Sequence, residues 1–289
     1  MSTNLNSPLH QLKGLSRIQI LVKRDDLIDP YISGNKWRKL KYILKKAEQQ
    51  HKRHLVTFGG AYSNHLVATA SACSRAGLSS TAFVRGESVN NEMLTICRLF
   101  GMHLIFVARE AYKDKSALYN EYFGQDEEAY FVDEGGASYE AVIGCAEIIA
   151  ELPKDTDHIF CAAGTGTTAA GLLKGIYESG VKAHLHVVPV MKGGAFIEDE
   201  ISKYLDPGQQ LTLHVDYHFG GYAKINPELI GYMKRFIAEE GMLIDQVYTA
   251  KMFYAIDDLM AKGFFTQGEK IVALHTGGLL GLMGIKDKI

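Results

Sequence analysis

The sequence of 289 residues lacks an excess of charge of either sign, because 31 Lys and Arg residues stand against 33 Asp and Glu residues and give a net charge of -2. A chain with no basic excess or basic run is a poor partner for nucleic acid or for an anionic membrane. Hydrophobic residues make up 47% and charged residues 22%, which excludes intrinsic disorder and a fibrous repeat. The length is sufficient for two domains of about 100 to 200 residues each.

Proline, paired cysteines and long apolar runs are also scarce. Only six prolines occur, so no proline-rich linker marks a domain boundary. The N-terminus lacks the basic start and apolar stretch of a secretory signal, and the longest apolar tract is interrupted by His275 and Thr276 well short of the roughly 20 residues of a membrane span. These absences predict a soluble cytoplasmic protein. Reduced core thiols are expected of the four cysteines, which have no CxxC spacing: Cys73, Cys97, Cys145 and Cys161.

Short β-branched segments alternate along the chain with longer segments of helical period. This alternation predicts a parallel sheet covered by helices, and therefore an α/β protein. No element is predicted over the polar stretch 109–127. The predicted strands cover residues 18–23, 54–58, 80–85, 103–108, 158–162, 184–190 and 271–275. The predicted helices cover residues 35–49, 64–76, 91–100, 139–152, 228–240 and 249–262, and another helix opens within 164–171.

The first segment that could carry chemistry is a glycine turn, Ser33-Gly34-Asn35, that leads into the helix beginning near Lys36. Lys36 and Lys39 share one helix face. The helix dipole favours anions at this end, so a lysine there is expected to have a tuned pKa or to pair with a bound anion. The alternative is that these basic side chains form a solvated helix face.

A second segment places Ser63, Asn64 and His65 after two glycines at the end of a predicted strand. Ligands bind at the carboxyl ends of parallel strands, and these three side chains would supply hydrogen bonds to a polar ligand. The alternative is that Ser63 or Asn64 serves only as the N-cap of the next helix.

A third segment, residues 164–169, reads Gly-Thr-Gly-Thr-Thr-Ala between a strand and a helix. Backbone N–H groups at such a helix start form a phosphate cradle. The string also fits a relaxed dinucleotide fingerprint, but the next strand ends without the acidic residue that this reading needs, and no GK[ST] follows. A single phosphate on a cofactor fits better. The alternative is a close crossing of helix and strand lined with small residues.

The fourth set comprises Tyr222, Tyr248, Thr249 and the loop His275-Thr276-Gly-Gly. The loop follows a predicted strand and precedes a helix, so it is a third loop of the ligand-binding type. Each tyrosine has the alternative of being a core residue with a satisfied hydroxyl.

Pyridoxal phosphate needs a lysine for its aldehyde, a phosphate cradle, a partner for the ring oxygen and a group facing the pyridine nitrogen. From Lys23-Arg-Asp-Asp-Leu through GNKWRKL to HTGG, the sequence resembles the fold type II pyridoxal phosphate enzymes, within them the group of D-cysteine desulfhydrase and 1-aminocyclopropane-1-carboxylate (ACC) deaminase. The resemblance implies a tryptophan synthase β-like fold of two domains with the cofactor between them, in a homodimer. Residues 50–149 would form a small α/β domain inserted into a larger one made of residues 1–49 and 150–289.

The resemblance also implies residue roles, and no metal site. Lys36 would be the Schiff-base lysine and the general base, and Lys39 would help to neutralise the phosphate. Ser63 would lie near the substrate with His65 beside it, and Asn64 would face the ring oxygen. The phosphate loop would comprise Gly164, Thr165, Gly166, Thr167 and Thr168, and the active-site tyrosines would be Tyr222 and Tyr248.

Two positions favour one activity within the group. ACC deaminases typically read YEG at the second tyrosine, with glutamate directly after it, and HLGG in the last loop. Desulfhydrases have threonine in place of that glutamate and of the leucine, and this sequence likewise has Thr249 and Thr276. The resemblance implies that Thr249 and Thr276 contact the cofactor, near its pyridine nitrogen. A carboxylate facing that nitrogen keeps it protonated and gives the strong electron sink that opening a cyclopropane needs, whereas eliminating a β-thiol does not need it. The expected reaction is β-elimination of D-cysteine, or a related D-amino acid, to pyruvate, ammonia and sulfide. The alternatives are ACC deamination, dehydration or racemisation of D-serine or another amino acid, and a homologue that binds the cofactor without catalysis.

Two departures from the group pattern accompany the resemblance. The phosphate loop usually reads GSGGT, so Thr165 keeps a hydroxyl while Thr167 adds bulk where close backbone approach matters. The segment after Asn64 has Val67 where the group carries an arginine.

Overall fold

Ten strands form two sheets in the computed structural model, which describes residues 6–13 and 18–289. The first sheet has six strands in the order β1-β2-β10-β7-β8-β9, and only β1 is antiparallel to its neighbour. The second has four parallel strands in the order β5-β4-β3-β6. The strands are β1 (Leu9–Gln11), β2 (Gln19–Lys23), β3 (His54–Gly60), β4 (Ser79–Arg85), β5 (His103–Val107), β6 (Ala129–Val132), β7 (His158–Ala163), β8 (His184–Pro189), β9 (Leu211–Leu213) and β10 (Lys270–Leu274).

Helices cover the sheets, which confirms the predicted α/β class. Several begin at a side chain that accepts a hydrogen bond from the first turn, namely Asn91, Asp114, Ser138 and Asn226. The α-helices are α1 (Asn35–Gln49), α2 (Asn64–Ala76), α3 (Glu92–Leu99), α4 (Lys115–Phe123), α5 (Tyr139–Ala146), α6 (Thr167–Ser179), α7 (Phe196–Ser202), α8 (Pro227–Glu240) and α9 (Thr249–Ala261). Short 3₁₀ helices cover Asp25–Leu27, Ala111–Lys113, Glu134–Gly136, Glu147–Glu151 and Leu279–Lys288.

Some elements differ from the prediction. Helix α4 lies in the polar stretch where none was expected, and the only buried side chain in it is Leu118. An element with so little buried surface has no hydrophobic stripe from which to predict it. Strands β1 and β9 have three residues each, which is too short for a visible alternation. The predicted helix 139–152 ends as an α-helix at Ala146 and continues as a 3₁₀ helix.

Helix α5 packs closely against α1 and α6. A Cβ atom on Gly144 would lie 2.0 Å from the backbone oxygen of Arg38, and one on Gly171 would lie 2.3 Å from Cβ of Cys145. Glycine at these positions therefore lets the helix backbones approach. Because α5 belongs to the predicted small domain yet packs on α6 of the larger one, the domain limits at 50 and 149 stay a prediction.

The four cysteines are free and buried, as expected. In residues 6–13 and 18–289, the structure has no helix that is long and apolar enough to cross a membrane.

Three imidazoles form a hydrogen-bonded row across the larger sheet. Nδ1 of His158 lies 2.9 Å from Nε2 of His186, and Nδ1 of His186 lies 2.9 Å from Nε2 of His214. At the end of the row, Nε2 of His158 lies 3.2 Å from a carboxylate oxygen of Glu269. Burial, followed by the neighbouring imidazoles, lowers the pKa of His186 to about 2 and that of His214 to about 4. The inner part of the row is therefore neutral at physiological pH.

This row should make stability depend on pH. The unfolded histidines titrate near pH 6.5, so below that pH the unfolded chain binds more protons and the free energy of unfolding falls, by up to about 1.4 kcal/mol per pH unit for each such histidine. Replacing His186 by Phe should flatten this slope, while His103→Phe, at the exposed first position of β5, should leave it unchanged. The slope in each variant is obtained from urea unfolding midpoints measured at several pH values between neutrality and mild acid. Equal slopes in wild type and His186→Phe would contradict the assignment.

Candidate active site

A cavity of about 540 Å³ lies where the four predicted segments meet. It is bounded by the start of α1, the start of α2, the loop between β7 and α6, and the loop after β10. An adjoining open cleft of about 1140 Å³ shares Ser63, Asn64, Tyr222 and Tyr248 with it. The predicted site residues that line the cavity are Lys36, Lys39, Ser63, Asn64, His65, Gly164, Thr165, Gly166, Thr168, Tyr222, Tyr248 and Thr276.

The turn before α1 packs closely against the loop that follows β10. Gly34 has a φ of +64°, and a Cβ atom there would lie 1.8 Å from the backbone oxygen of Thr276. Only glycine fits both the left-handed conformation and this contact. The contact therefore fixes the start of α1, and with it Lys36, beside Thr276.

Arg38 and Lys39 are buried and Lys36 is half-buried, so the alternative that these three form a solvated basic face is wrong. Lys39 is 2% exposed and donates to the backbone oxygen of Gly135 at 3.2 Å. Lys36 donates to Oδ1 of Asn35 at 3.1 Å. Burial, and then the charge of Lys39, lowers the pKa of Lys36 to about 7, so a large share of it is a neutral amine at physiological pH.

The hydroxyl of Ser63 is free for a ligand. Ser63 occupies the N-cap position of α2 but makes no side-chain capping hydrogen bond. Its side chain instead lines the cavity and the cleft, beside that of Asn64. The alternative of a simple N-cap role is therefore not supported for Ser63.

His65 brings an unpartnered acceptor to the cavity. Its Nε2 lies 2.7 Å from Oγ1 of Thr57, and that hydroxyl donates to the backbone oxygen of Val132 at 2.9 Å. Nε2 therefore carries the hydrogen, and the buried Nδ1 has no hydrogen-bond partner among the described residues. Burial, and then the charges of Lys36 and Lys39, lowers the pKa of His65 well below its usual value, which keeps the ring neutral.

The phosphate loop differs from the prediction at one residue. Thr167 is fully buried and does not line the cavity, because its side chain packs inside, with Oγ1 at 3.3 Å from Oγ1 of Thr165. The side chain of Thr167 therefore does not obstruct the phosphate cradle. Gly166 precedes α6 with a φ of +74°, so the N–H groups of the first turn face this end of the cavity. The neighbouring Thr168 hydroxyl accepts from the amide of Asn35 at 2.9 Å.

The two predicted tyrosines meet at the mouth of the cavity. The hydroxyl of Tyr248 donates to that of Tyr222 at 3.5 Å, and the ring of Tyr248 covers Gly164. Tyr222 is 45% exposed, so it is not a core tyrosine. Burial of the hydroxyl groups raises the pKa of Tyr222, and raises that of Tyr248 well above 10. Both phenols therefore keep their protons.

Thr249 also differs from the prediction, whereas Thr276 lines the cavity as expected. Thr249 is fully buried and outside the cavity wall, because its hydroxyl is held by Asp245. It donates to Oδ1 of Asp245 at 2.7 Å and accepts from the backbone N–H of Asp245 at 2.8 Å. The Thr249 side chain therefore does not reach the cavity in which a cofactor would bind.

Sequence reasoning missed Asp245 and Asn35. The carboxylate of Asp245 is 1% exposed and accepts hydrogen bonds from the backbone N–H groups of Val247, Tyr248 and Thr249. An aspartate just before a predicted helix is a recognisable turn signal that could have found it. Asn35 links the amine of Lys36 to Thr168, which lies 133 positions away along the chain, and no local pattern reveals such a contact.

Comparisons with known proteins identify the family to which the chain belongs. A family model described as pyridoxal-phosphate dependent enzyme matches residues 2–277. A Thermotoga maritima protein with the provisional name 1-aminocyclopropane-1-carboxylate deaminase is 32% identical over 96% of this chain and 95% of its own length. The Arabidopsis thaliana mitochondrial bifunctional D-cysteine desulfhydrase/1-aminocyclopropane-1-carboxylate deaminase is 29% identical over 99% of this chain and 79% of its own length. A crystal structure of an ACC deaminase homologue matches with a TM-score of 0.86 and 28% identity over 99% of this chain and 93% of that one.

The chain belongs to the family of pyridoxal-phosphate dependent enzymes and has their type II fold. Within it, the chain is a lyase of the group that contains D-cysteine desulfhydrase and ACC deaminase.

The residues present fit this cofactor. The cavity offers an amine of lowered pKa at Lys36, an unobstructed helix start at Gly166 for a phosphate, and the amide of Asn64 for a ring oxygen. We propose these as the roles of the three residues.

Replacing Gly166 by Val should weaken cofactor binding. The new Cβ atom would lie 3.1 Å from Cβ of Glu200, and the φ of +74° is unfavourable for a β-branched residue, so the cradle must shift. We expect the cofactor Kd to rise at least about tenfold, or ~1.4 kcal/mol.

Absorbance titration of the cofactor-free protein measures this Kd. Gly180→Val is the matched control, because Gly180 ends the same helix with a φ of +69° and has open space around it. Equal affinity in Gly166→Val and wild type would place the phosphate elsewhere.

Proposed function

We propose that this lyase eliminates the thiol of D-cysteine, or of a related D-amino acid, as sulfide, and that water hydrolyses the remaining aminoacrylate to pyruvate and ammonia. The observation that carries the proposal is the buried pair of Asp245 and Thr249. In the ACC deaminase pattern a glutamate stands in the position of Thr249, and here it would place a second carboxylate against that of Asp245. Two buried carboxylates in contact repel each other, so the start of α9 is built for a neutral hydroxyl.

Lys36 is the residue that takes the proton from the substrate's Cα. Its lowered pKa leaves a large share of the amine neutral, and a general base works best when its pKa lies near the working pH. When bound, pyridoxal phosphate supplies an electron sink for the charge left on Cα. As the Cβ–S bond breaks, the sulfur departs with the electron pair of that bond.

The start of α2 is suited to the substrate carboxylate. The hydroxyl of Ser63 is not used for capping, and N–H groups at the start of a helix attract anions. Asn64 lines the same wall. A carboxylate held here would place the rest of the substrate between Lys36 and the tyrosine pair, all of which line this cavity.

The tyrosine pair would deliver a proton to the departing sulfur. Both phenols stay protonated because their pKa values are raised by burial, and Tyr248 donates to Tyr222. Tyr222 lines both the cavity and the adjoining cleft.

Measuring ammonia release from D-cysteine, L-cysteine, D-serine and ACC tests this proposal. We expect kcat/KM for D-cysteine to exceed that for ACC by at least about tenfold, because Thr249 stands where the ACC deaminase pattern has its glutamate. Lys36→Ala should abolish turnover, while Lys45→Ala, on the exposed side of the same helix, should not. A preference for ACC would refute the proposed substrate, and no turnover by cofactor-loaded protein would favour a binding role.

Replacing Tyr222 by Phe should lower kcat for D-cysteine by about 10²-fold or more, because a general acid contributes about that much. D-β-chloroalanine should be affected far less, since chloride leaves without a proton. Tyr254→Phe is the control, because that hydroxyl bonds to Glu228 outside the cavity. An equal loss on both substrates would remove Tyr222 from the proton transfer.

A further inference from the structure

Lys251, in α9, is a fully buried lysine that lies outside the cavity wall. Its Nζ donates to three backbone oxygens, those of Gly221 at 2.8 Å, His218 at 2.9 Å and Val190 at 3.2 Å. An ammonium group has three N–H donors, so this set satisfies all of them. In the described part of the chain, no acidic side chain forms an ion pair with it.

Two of these oxygens belong to the segment that carries Tyr222, and this segment has an unusual backbone. Phe219 and Ala223 have φ values of 50° and 54°, and Gly220 and Gly221 have values of 91° and 122°. Residues other than glycine rarely adopt positive φ, and such conformations persist only when the surroundings hold them. The ammonium group of Lys251 holds the backbone of this segment onto α9, beside the edge-on packing of Phe219 against Tyr254 of the same helix.

The same helix starts at the second tyrosine. Tyr248 is the N-cap of α9, one turn before Lys251, and its hydroxyl reaches that of Tyr222 at 3.5 Å. One buried cation therefore joins the two elements that bring the tyrosines together. Burial lowers the pKa of Lys251 to about 8, so most of it is charged at neutral pH.

We propose that Lys251 is a positioning residue, which holds segment 218–223 so that Tyr222 meets Tyr248, and that a small free cation can replace its ammonium group. The effect on catalysis rests on the proposed function of the tyrosines, whereas the effect on the segment does not. The first measurement is accordingly made without substrate or cofactor.

The experiment compares wild type, Lys251→Met and Lys251→Ala by hydrogen–deuterium exchange and mass spectrometry of the cofactor-free protein. We expect segment 218–223 to exchange at least about tenfold faster in both variants. Ammonium chloride should restore slow exchange in Lys251→Ala, which leaves space for the ion, and choline chloride at equal ionic strength should not. Lys234→Met, on an exposed position of α8, is the control and should match wild type.

Kinetics of the loaded enzyme supply the second measurement. On the amino acid that wild type turns over best, kcat should fall at least about tenfold in Lys251→Ala while KM changes little, and ammonium should restore it. Unchanged exchange in Lys251→Met, or faster exchange in Lys251→Ala that ammonium fails to reverse, would overturn the proposal. If Lys251→Met does not fold, Lys251→Gln replaces it under the same two criteria. Restored exchange without restored kcat would refute the role assigned to the tyrosines and leave the positioning of the segment intact.

Discussion

The buried ion pairs of Arg38 are the interaction on which the site depends. Arg38 is 3% exposed and donates to both carboxylate oxygens of Asp25, at 2.9 and 3.1 Å, and to Glu151. Lys23, which is fully buried, pairs with Glu151 at 2.6 Å. These contacts tie the end of β2, the helix α1 and the segment before β7 to one another. Losing one partner of such a network would cost about 3–5 kcal/mol, because a buried charge would be left uncompensated.

The position of α1 in turn sets the chemistry of Lys36. Two contacts fix the position of the helix along its axis. Arg38 is bound to Asp25, and Gly34 packs against the backbone of Thr276. Lys36 and Lys39 are therefore held close together. Burial lowers the pKa of both side chains, and the charge of Lys39 lowers that of Lys36 further. The ion pairs of Arg38 thus position α1, and in this position a large share of the Lys36 amine is neutral near pH 7.

The motifs that lie together in the sequence could be predicted, and those that the fold assembles could not. Lys36, Ser63 and Gly166 each follow a glycine turn or a strand end, so local pattern was sufficient to find them. Thr249 was expected to face the cofactor, but Asp245 holds its hydroxyl, and side-chain pairing of this kind is not visible in a sequence. Lys251 resembles any other lysine of an amphipathic helix until its three carbonyl partners are known.

The proposed reaction requires the cofactor to be attached to Lys36, and one measurement tests this directly. Reduction of the loaded enzyme with borohydride, followed by peptide mapping, identifies the lysine that carries the pyridoxyl group. We expect label on Lys36 alone, because its side chain lines the cavity beside the phosphate cradle while the amine of Lys39 is bound to the backbone oxygen of Gly135. Label on Lys39 or on any other lysine would contradict it.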